Sequence, residues 1–211
     1  AIIVILIPGG REFFEYFARF FVKIVDFALT GSKFIFGDLA SFENFGFVFA
    51  FQVLPTIIFF AALMSVLYHL GIMQKIVQGM AWVMQKALRA SGAESLSVAA
   101  NVFVGQTEAP LVVRPYIAKM TESELFTMMV GGMATIAGAV LAAYIAMLGG
   151  GDEVQQLFYA RHLLAASVMA APATIVIAKL LKPEYQESLT RGTVKLEIEK
   201  TASNVIEAAA N

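Results

Sequence analysis

From Asn44 to Gln74 the chain carries no Asp, Glu, Lys or Arg. In lipid every backbone N–H and C=O must be satisfied within its own segment, so such a run is best read as a helix. About 20 mainly apolar helical residues cross a hydrocarbon core of about 30 Å. A transmembrane helix is therefore predicted over 46–73, with Pro55 a kink that neighbouring helices accommodate. A second charge-free run, Leu125–Gly151, predicts a span over 123–148. It is rich in small residues (Gly131, Gly132, Ala134, Ala137, Gly138, Ala142, Ala146), which let helix backbones approach closely. A third span is predicted over 157–181. With 59% hydrophobic and 15% charged residues, the chain is far from the roughly 25% charged content of soluble domains. Zero Cys excludes a disulfide scaffold, and a net charge of −1 argues against a nucleic-acid partner. The lipid bilayer is the expected surrounding.

The remaining segments are shorter or mixed. Residues 1–8 read as the end of a truncated transmembrane helix, stopped by Pro8-Gly9-Gly10. Over 11–43, aromatics (Phe13, Phe14, Phe17, Phe20, Phe21) interleave with Arg11, Glu12, Arg19, Lys23 and Asp26, predicting an interfacial amphipathic helix followed by a loop. A second interfacial helix is predicted over 75–90, with Trp82 anchored at headgroup depth. Residues 182–211 read as a cytoplasmic connector, truncated, with an extended alternating piece at Thr193–Lys200 and the opening of a helix at Thr201–Asn211. Lys75, Lys86, Arg89, Arg114 and Lys119 lie between the first two spans, and five more bases follow the third. Both basic segments are thus expected on the cytoplasmic side and Gly149–Gln156 outside, although four bases in 11–36 then fall outside too.

The segment between the first two spans carries the chemistry. Ser95–Val104 is apolar, Gly105-Gln106-Thr107-Glu108-Ala109-Pro110 is polar, and Leu111–Tyr116 is mostly apolar again. Ten helical residues rise about 15 Å, half the hydrocarbon thickness. Two half-length helices around a polar tip predict a re-entrant hairpin over 91–118. A first half-helix ending at Val104-Gly105 would present free carbonyls suited to a small cation. A second starting near Thr107, with Thr107 as N-cap, would stabilise Glu108 as carboxylate in its first turn, where Pro110 is also tolerated. Broken helices with polar tips are how secondary transporters build substrate and ion sites. The competing picture, a surface loop with Glu108 in water, fits poorly with the apolar flanks.

The stretch Asn101-Val-Phe-Val-Gly-Gln-Thr-Glu-Ala-Pro-Leu-Val-Val-Arg-Pro-Tyr116 closely resembles the first re-entrant hairpin of the concentrative nucleoside transporters, in their bacterial, sodium-coupled branch. Gly131-Gly-Met-Ala-Thr-Ile-Ala-Gly138 resembles the matching unwound helix, and His162–Pro172 extends the likeness. The fold this implies is all-α and integral to the membrane: three full transmembrane helices, a re-entrant helical hairpin and interfacial helices, one half of an inverted-repeat transporter. The implied activity is sodium-coupled symport of a uridine-like nucleoside across a bacterial inner membrane by a homotrimer, with sodium the coupling ion and no other cofactor. By the same resemblance, Gly105, Gln106, Thr107 and Glu108 at the tip and Val140 on the next helix bind the nucleoside. Sodium is held by the side chains of Asn101 and Thr135 and the carbonyls of Val104 and Ile136. These are the hard oxygen donors that a hard cation selects.

Nothing in 141–211 resembles the family's second hairpin and second unwound helix. The chain is therefore expected to be a partial transporter that does not transport alone. His69 and His162 have no second ligand at metal spacing, and Ser65 and Ser167 are expected to bond backbone or neighbouring helices rather than act as nucleophiles. No His-Glu-x-x-His, Gly-x-Ser-x-Gly or phosphate-loop pattern supports an enzyme. Arg114 is expected to hold Glu122 or Glu124. The alternatives are proton coupling through Glu108 and a non-transporting membrane scaffold or assembly subunit.

Overall fold

The computed structural model describes residues 10–190 and 202–210, so the expectations for 1–8 and for Thr193–Lys200 lie outside the described residues. All regular structure among the described residues is helical: α1 (Gly10–Phe36), a 3-10 turn (Gly37–Ala40), α2 (Phe42–Phe45), α3 (Phe49–His69), α4 (Ile72–Leu88), α5 (Gly92–Asn101), α6 (Ala109–Val112), α7 (Arg114–Ile117), α8 (Glu122–Ala134), α9 (Gly138–Gly149), α10 (Glu153–Leu181) and α11 (Val205–Ala210). Among the described residues, three stretches are long and apolar enough to cross a membrane: Phe49–His69, Glu122–Gly149 and Glu153–Leu181. The protein is an all-α integral membrane protein. The residues group into two compact units, 1–63 with 138–166, and 64–137 with 167–211.

In the first unit, α1 buries Phe14, Ala18, Phe21, Val22 and Val25 while Phe13, Tyr16, Phe20 and Phe27 stay exposed. This two-faced pattern is what an interfacial helix requires. Phe21 stacks near Phe60 of α3, with ring centroids 5.6 Å apart, and α9 packs against α1. The start of α3 is closed by its own side chain: Gln52 is fully buried, accepts from the Val48 N–H at 3.1 Å and donates to the Gly46 carbonyl at 2.8 Å. Gly46 supplies a left-handed φ of 67° at that entry, a conformation a Cβ would strain. Pro55 sits inside α3, and the Ser32 hydroxyl from α1 donates to the Phe51 carbonyl, the acceptor that proline's missing N–H leaves without an intrahelical donor.

The turn between α9 and α10 is equally specific. Buried Gln156 donates to the Gly150 carbonyl at 2.6 Å, and its N–H bonds the Asp152 carbonyl at 2.9 Å. A Cβ on Gly149 would lie 2.4 Å from Gln156 Cγ and 2.7 Å from its Cα.

The second unit is built around α5, every residue of which is buried. It packs against α4, α6 and α8. Two capping boxes start α5 and α8 in the same way. Ser91 and Glu94 close the first, with the Ser91 N–H donating to Glu94 at 2.7 Å; Thr121 and Glu124 close the second, also at 2.7 Å. Segment 182–190 bonds both N-terminal ends. Gly92 N–H donates to the Thr190 carbonyl at 2.8 Å, and the Thr190 hydroxyl donates to Glu124 at 2.8 Å. The N-termini of α5 and α8 therefore share one end of the unit; α5 leaves that end, and residues 102–120 must return to it. That is the re-entrant hairpin.

The hairpin's second arm differs from the expectation. Instead of one half-helix from Thr107, two single turns form, Ala109–Val112 and Arg114–Ile117, and Thr107 makes no cap. Pro115 explains the break: it has no N–H for the Leu111 carbonyl, and its ring would clash there. The first arm ends at Asn101 rather than at Val104-Gly105. Arg114 holds neither predicted partner, because Glu122 pairs with Lys182 at 2.6 Å and Glu124 is taken by Thr121, Ser188 and Thr190.

Two measurements check this packing. Gly149→Ala places a methyl against the Gln156 backbone, and overpacking of this kind costs about 1–3 kcal/mol; a clear drop in melting temperature is expected. Asp26, on α1, has its pKa raised, by burial first and the nearby Glu153 carboxylate second. A raised carboxyl pKa means the folded state binds protons more readily, so the charged form destabilises above the folded pKa and the penalty disappears on acidification below the unfolded value. Asp26→Asn is expected to raise the melting temperature at pH 7, with the difference vanishing as the pH falls through the carboxylate range.

Candidate functional site

The site residues of the second unit gather where two helices stop. α5 ends at Asn101, whose side chain is buried, and the next turns bring the Phe103 and Val104 N–H groups onto the Ala100 carbonyl, both at 3.0 Å. That leaves the Asn101 carbonyl to another partner. α8 ends at Ala134, and Thr135 turns to an extended conformation, φ −112° and ψ 155°. Its hydroxyl lies 3.0 Å from the Gly131 carbonyl and 3.3 Å from the Asn101 carbonyl, joining the two broken ends. The chain is non-helical from Thr135 to Ala137 before α9 begins at Gly138. Within that gap the Ile136 carbonyl faces the Ser167 hydroxyl of α10 at 3.5 Å.

This is a cluster of oxygens at a helix C-terminus, where partial negative charge is exposed. Asn101 and Thr135 offer side-chain oxygens, the Asn101 carbonyl lies 3.3 Å from the Thr135 hydroxyl, and Ile136 follows Thr135 in the chain. The donor set suits a small hard cation such as sodium. Val104 lies in the turn just after α5. Ser167 bonds backbone, one of the two roles its sequence predicts, and the carbonyl it reaches is that of Ile136, one of the candidate cation ligands.

The tip itself is a tight ring. The Gly105 N–H donates to Glu108 Oε2 at 3.1 Å, while the N–H groups of Glu108 and Ala109 both return to the Gly105 carbonyl at 3.0 Å. Glu108 is thus held by its own loop, not by the end of a long second helix. Gln106, Thr107 and Glu108 are exposed at this tip, so their polar groups are available to a ligand. Gly132 brings α8 against the tip: a Cβ there would lie 3.3 Å from Gln106 Cβ and 4.0 Å from Asn101 Nδ2. A shallow hollow beside it is lined by Gln106, Pro110, Met128, Met129, Gly132 and Met133. Val140 lies on α9, in the first compact unit, and is partly exposed.

One part of the site's surroundings had a legible but unused signal. Ser91-Gly-Ala-Glu94 and Thr121-Glu-Ser-Glu124 are both Ser/Thr-x-x-Glu patterns, the sequence mark of a capping box. They announce where α5 and α8 start. The buried ion pair of Glu94 with Lys179, 2.8 Å apart, carries no such mark, because 85 positions separate them.

Comparison with known proteins agrees with this architecture. Residues 50–151 match a family model described as a gate for nucleoside recognition, and residues 1–39 match the N-terminus of sodium-dependent nucleoside transporters. An uncharacterised transporter of Haemophilus influenzae is 46% identical over all 211 residues, and this chain spans 48% of its length. Human sodium/nucleoside cotransporter 1 is 44% identical over 209 residues, with 30% of its length covered. Among solved structures, CNTnw in an inward-facing substrate-bound state matches with a TM-score of 0.83 and 45% identity, covering 98% of this chain and 48% of that one. A CNTnw variant in an outward-facing state matches with a TM-score of 0.84 and 44% identity, over 98% of this chain and 47% of that one. The chain thus spans about half the length of its bacterial relatives, over nearly all of its own. With the hairpin, the interrupted α8–α9 span and these matches in agreement, the chain belongs to the concentrative nucleoside transporter family.

Proposed function

We propose that this chain forms part of a membrane transporter, not an enzyme, that couples inward sodium movement to uptake of a uridine-like nucleoside across a bacterial inner membrane, working as a homotrimer. The observation that carries the reading is the meeting of two broken helices: Asn101 at the end of α5 and Thr135 at the end of α8, with the Gly105–Glu108 ring following α5 in the chain. Asn101 and Thr135 side chains with the Val104 and Ile136 carbonyls would hold sodium. Gly105, Gln106, Thr107 and Glu108 would meet the nucleoside, with Val140 against its base. The names of the relatives, sodium/nucleoside cotransporters of mouse and man, support both the substrate class and the ion.

In this reading the two sites share a strand of chain. Asn101 and Val104 belong to the turn that leads into Gly105, so filling the cation site would order the tip that meets the nucleoside. Differential binding to the ordered tip is all that coupling requires. The oxygen donors favour sodium over a proton, since a proton would need only one titratable group and not a cluster of neutral oxygens.

Thermodynamic reciprocity gives the test in the full-length gene product. Sodium should tighten uridine binding, and uridine should tighten sodium binding by the same factor. Asn101→Ala should weaken both, whereas Glu108→Gln should reduce uridine affinity most, by about tenfold or more for a lost charge-assisted hydrogen bond. Calorimetric titration in sodium and in choline reads both. Unchanged uridine affinity in Glu108→Gln would remove Glu108 from the base contact, and binding that follows pH but not sodium would replace sodium with the proton.

A further inference from the structure

Among the described residues, Glu94 and Glu124 are the two buried carboxylates of the second unit, 1% and 0% exposed. Burying a carboxylate is tolerated only when it is paired or fully hydrogen-bonded. Glu124 meets that need with hydroxyls and amides, from Thr121, Ser188 and Thr190. Glu94 bonds the Ser91 N–H through Oε1, and its other oxygen lies 2.8 Å from the Lys179 ammonium of α10. Lys179 also donates to the Ser123 hydroxyl at 3.0 Å and reaches Glu184 at 3.4 Å. Glu122, in the first turn of α8, pairs with Lys182. Lys179 is therefore the cation that joins the first turn of α5 to the first turn of α8.

Both helices carry that junction to the candidate cation cluster. Asn101 follows Glu94 by seven residues, two helical turns, and Thr135 follows Glu124 by eleven, three turns. Each buried carboxylate thus shares a helix face with one candidate sodium ligand. Midway between the two ends the helices are in close contact: a Cβ on Gly131 of α8 would lie 3.1 Å from Val98 Cγ2 of α5. With no slack at the middle, a change in spacing at the N-terminal ends is passed to the C-terminal ends, as in any closely packed interior.

We propose that Lys179 is a positioning residue for the cation site: by neutralising Glu94 and bonding Ser123 it sets the spacing of α5 and α8, and through them the approach of Asn101 to Thr135. This rests on the sodium reading above. No contact of Lys179 with the ion or the nucleoside is involved. Its removal leaves Glu94 as a buried carboxylate without its cation, which relaxes by splaying the helix ends.

The full-length gene product is purified in detergent, and its melting temperature is followed against sodium concentration, with choline as the control salt. Sodium should stabilise the wild type by mass action; if it does not, the sodium reading itself fails and the test goes no further. In Lys179→Met at pH 8, the sodium concentration giving half the stabilisation should rise by about tenfold, the lower end for loss of a supporting partner at a metal site. The double variant Glu94→Gln/Lys179→Met, which removes the buried charge together with its partner, should lie near the wild type. An unchanged sodium midpoint in Lys179→Met, or a double variant no better than the single one, overturns the proposal. Should Lys179→Met not fold, the double variant and Lys179→Arg are read instead, and a sodium midpoint tenfold above wild type in both has the same overturning force.

Discussion

The constraint on which this structure depends is that backbone polar groups at membrane depth have no water to bond. A helix that stops there must find partners for its last carbonyls or offer them to an ion. α5 stops at Asn101 and α8 stops at Ala134, and their ends meet through the Thr135 hydroxyl. What would be two defects in isolation becomes one cluster of oxygens. The Gly105–Glu108 ring next to it answers the same need, with an N–H, a carboxylate and two further N–H groups closed on themselves.

Holding two broken helices in register takes interactions at their other ends, and there the protein uses charge. Glu94 and Glu124 serve as capping-box acceptors and also as buried anions, one satisfied by Lys179 and the other by hydroxyls from 188 and 190. The choice is physically uneven. A neutral hydrogen-bonded shell asks little of its neighbours, whereas a buried ion pair fails sharply if one partner is lost. The hairpin's rigid first arm is entirely buried, while its second arm is two single turns interrupted by Pro115, so the two arms differ in the order they impose on the tip.

Much of the fold was legible in the sequence because the membrane reduces the alternatives. The spans predicted over 46–73, 123–148 and 157–181 overlap the three stretches among the described residues that are long enough to span. The re-entrant hairpin was legible because its flanks are apolar yet too short to cross. The second arm differs at Thr107, since Thr before Glu-Ala-Pro resembles an N-cap, while Pro115, four residues after Leu111, is the sequence mark of the break. Arg114 was assigned acids near it in sequence. The structure gives those acids to Lys182 and to 188–190 instead, because the chain beyond α10 returns to the start of α8.

By itself the sequence determined the medium, the spans and the half-length hairpin, since each follows from local apolarity and from the reach of a helix. The Gly-Gln-Thr-Glu-Ala-Pro tip likewise marks itself, as a polar word in an apolar setting. Only the tertiary structure decided which broken end meets which, that the Ile136 carbonyl is met by Ser167, and that a lysine 85 positions away neutralises Glu94. Those pairings depend on distances between helices far apart in the chain, and side-chain periodicity records which way a residue faces but not whom it faces.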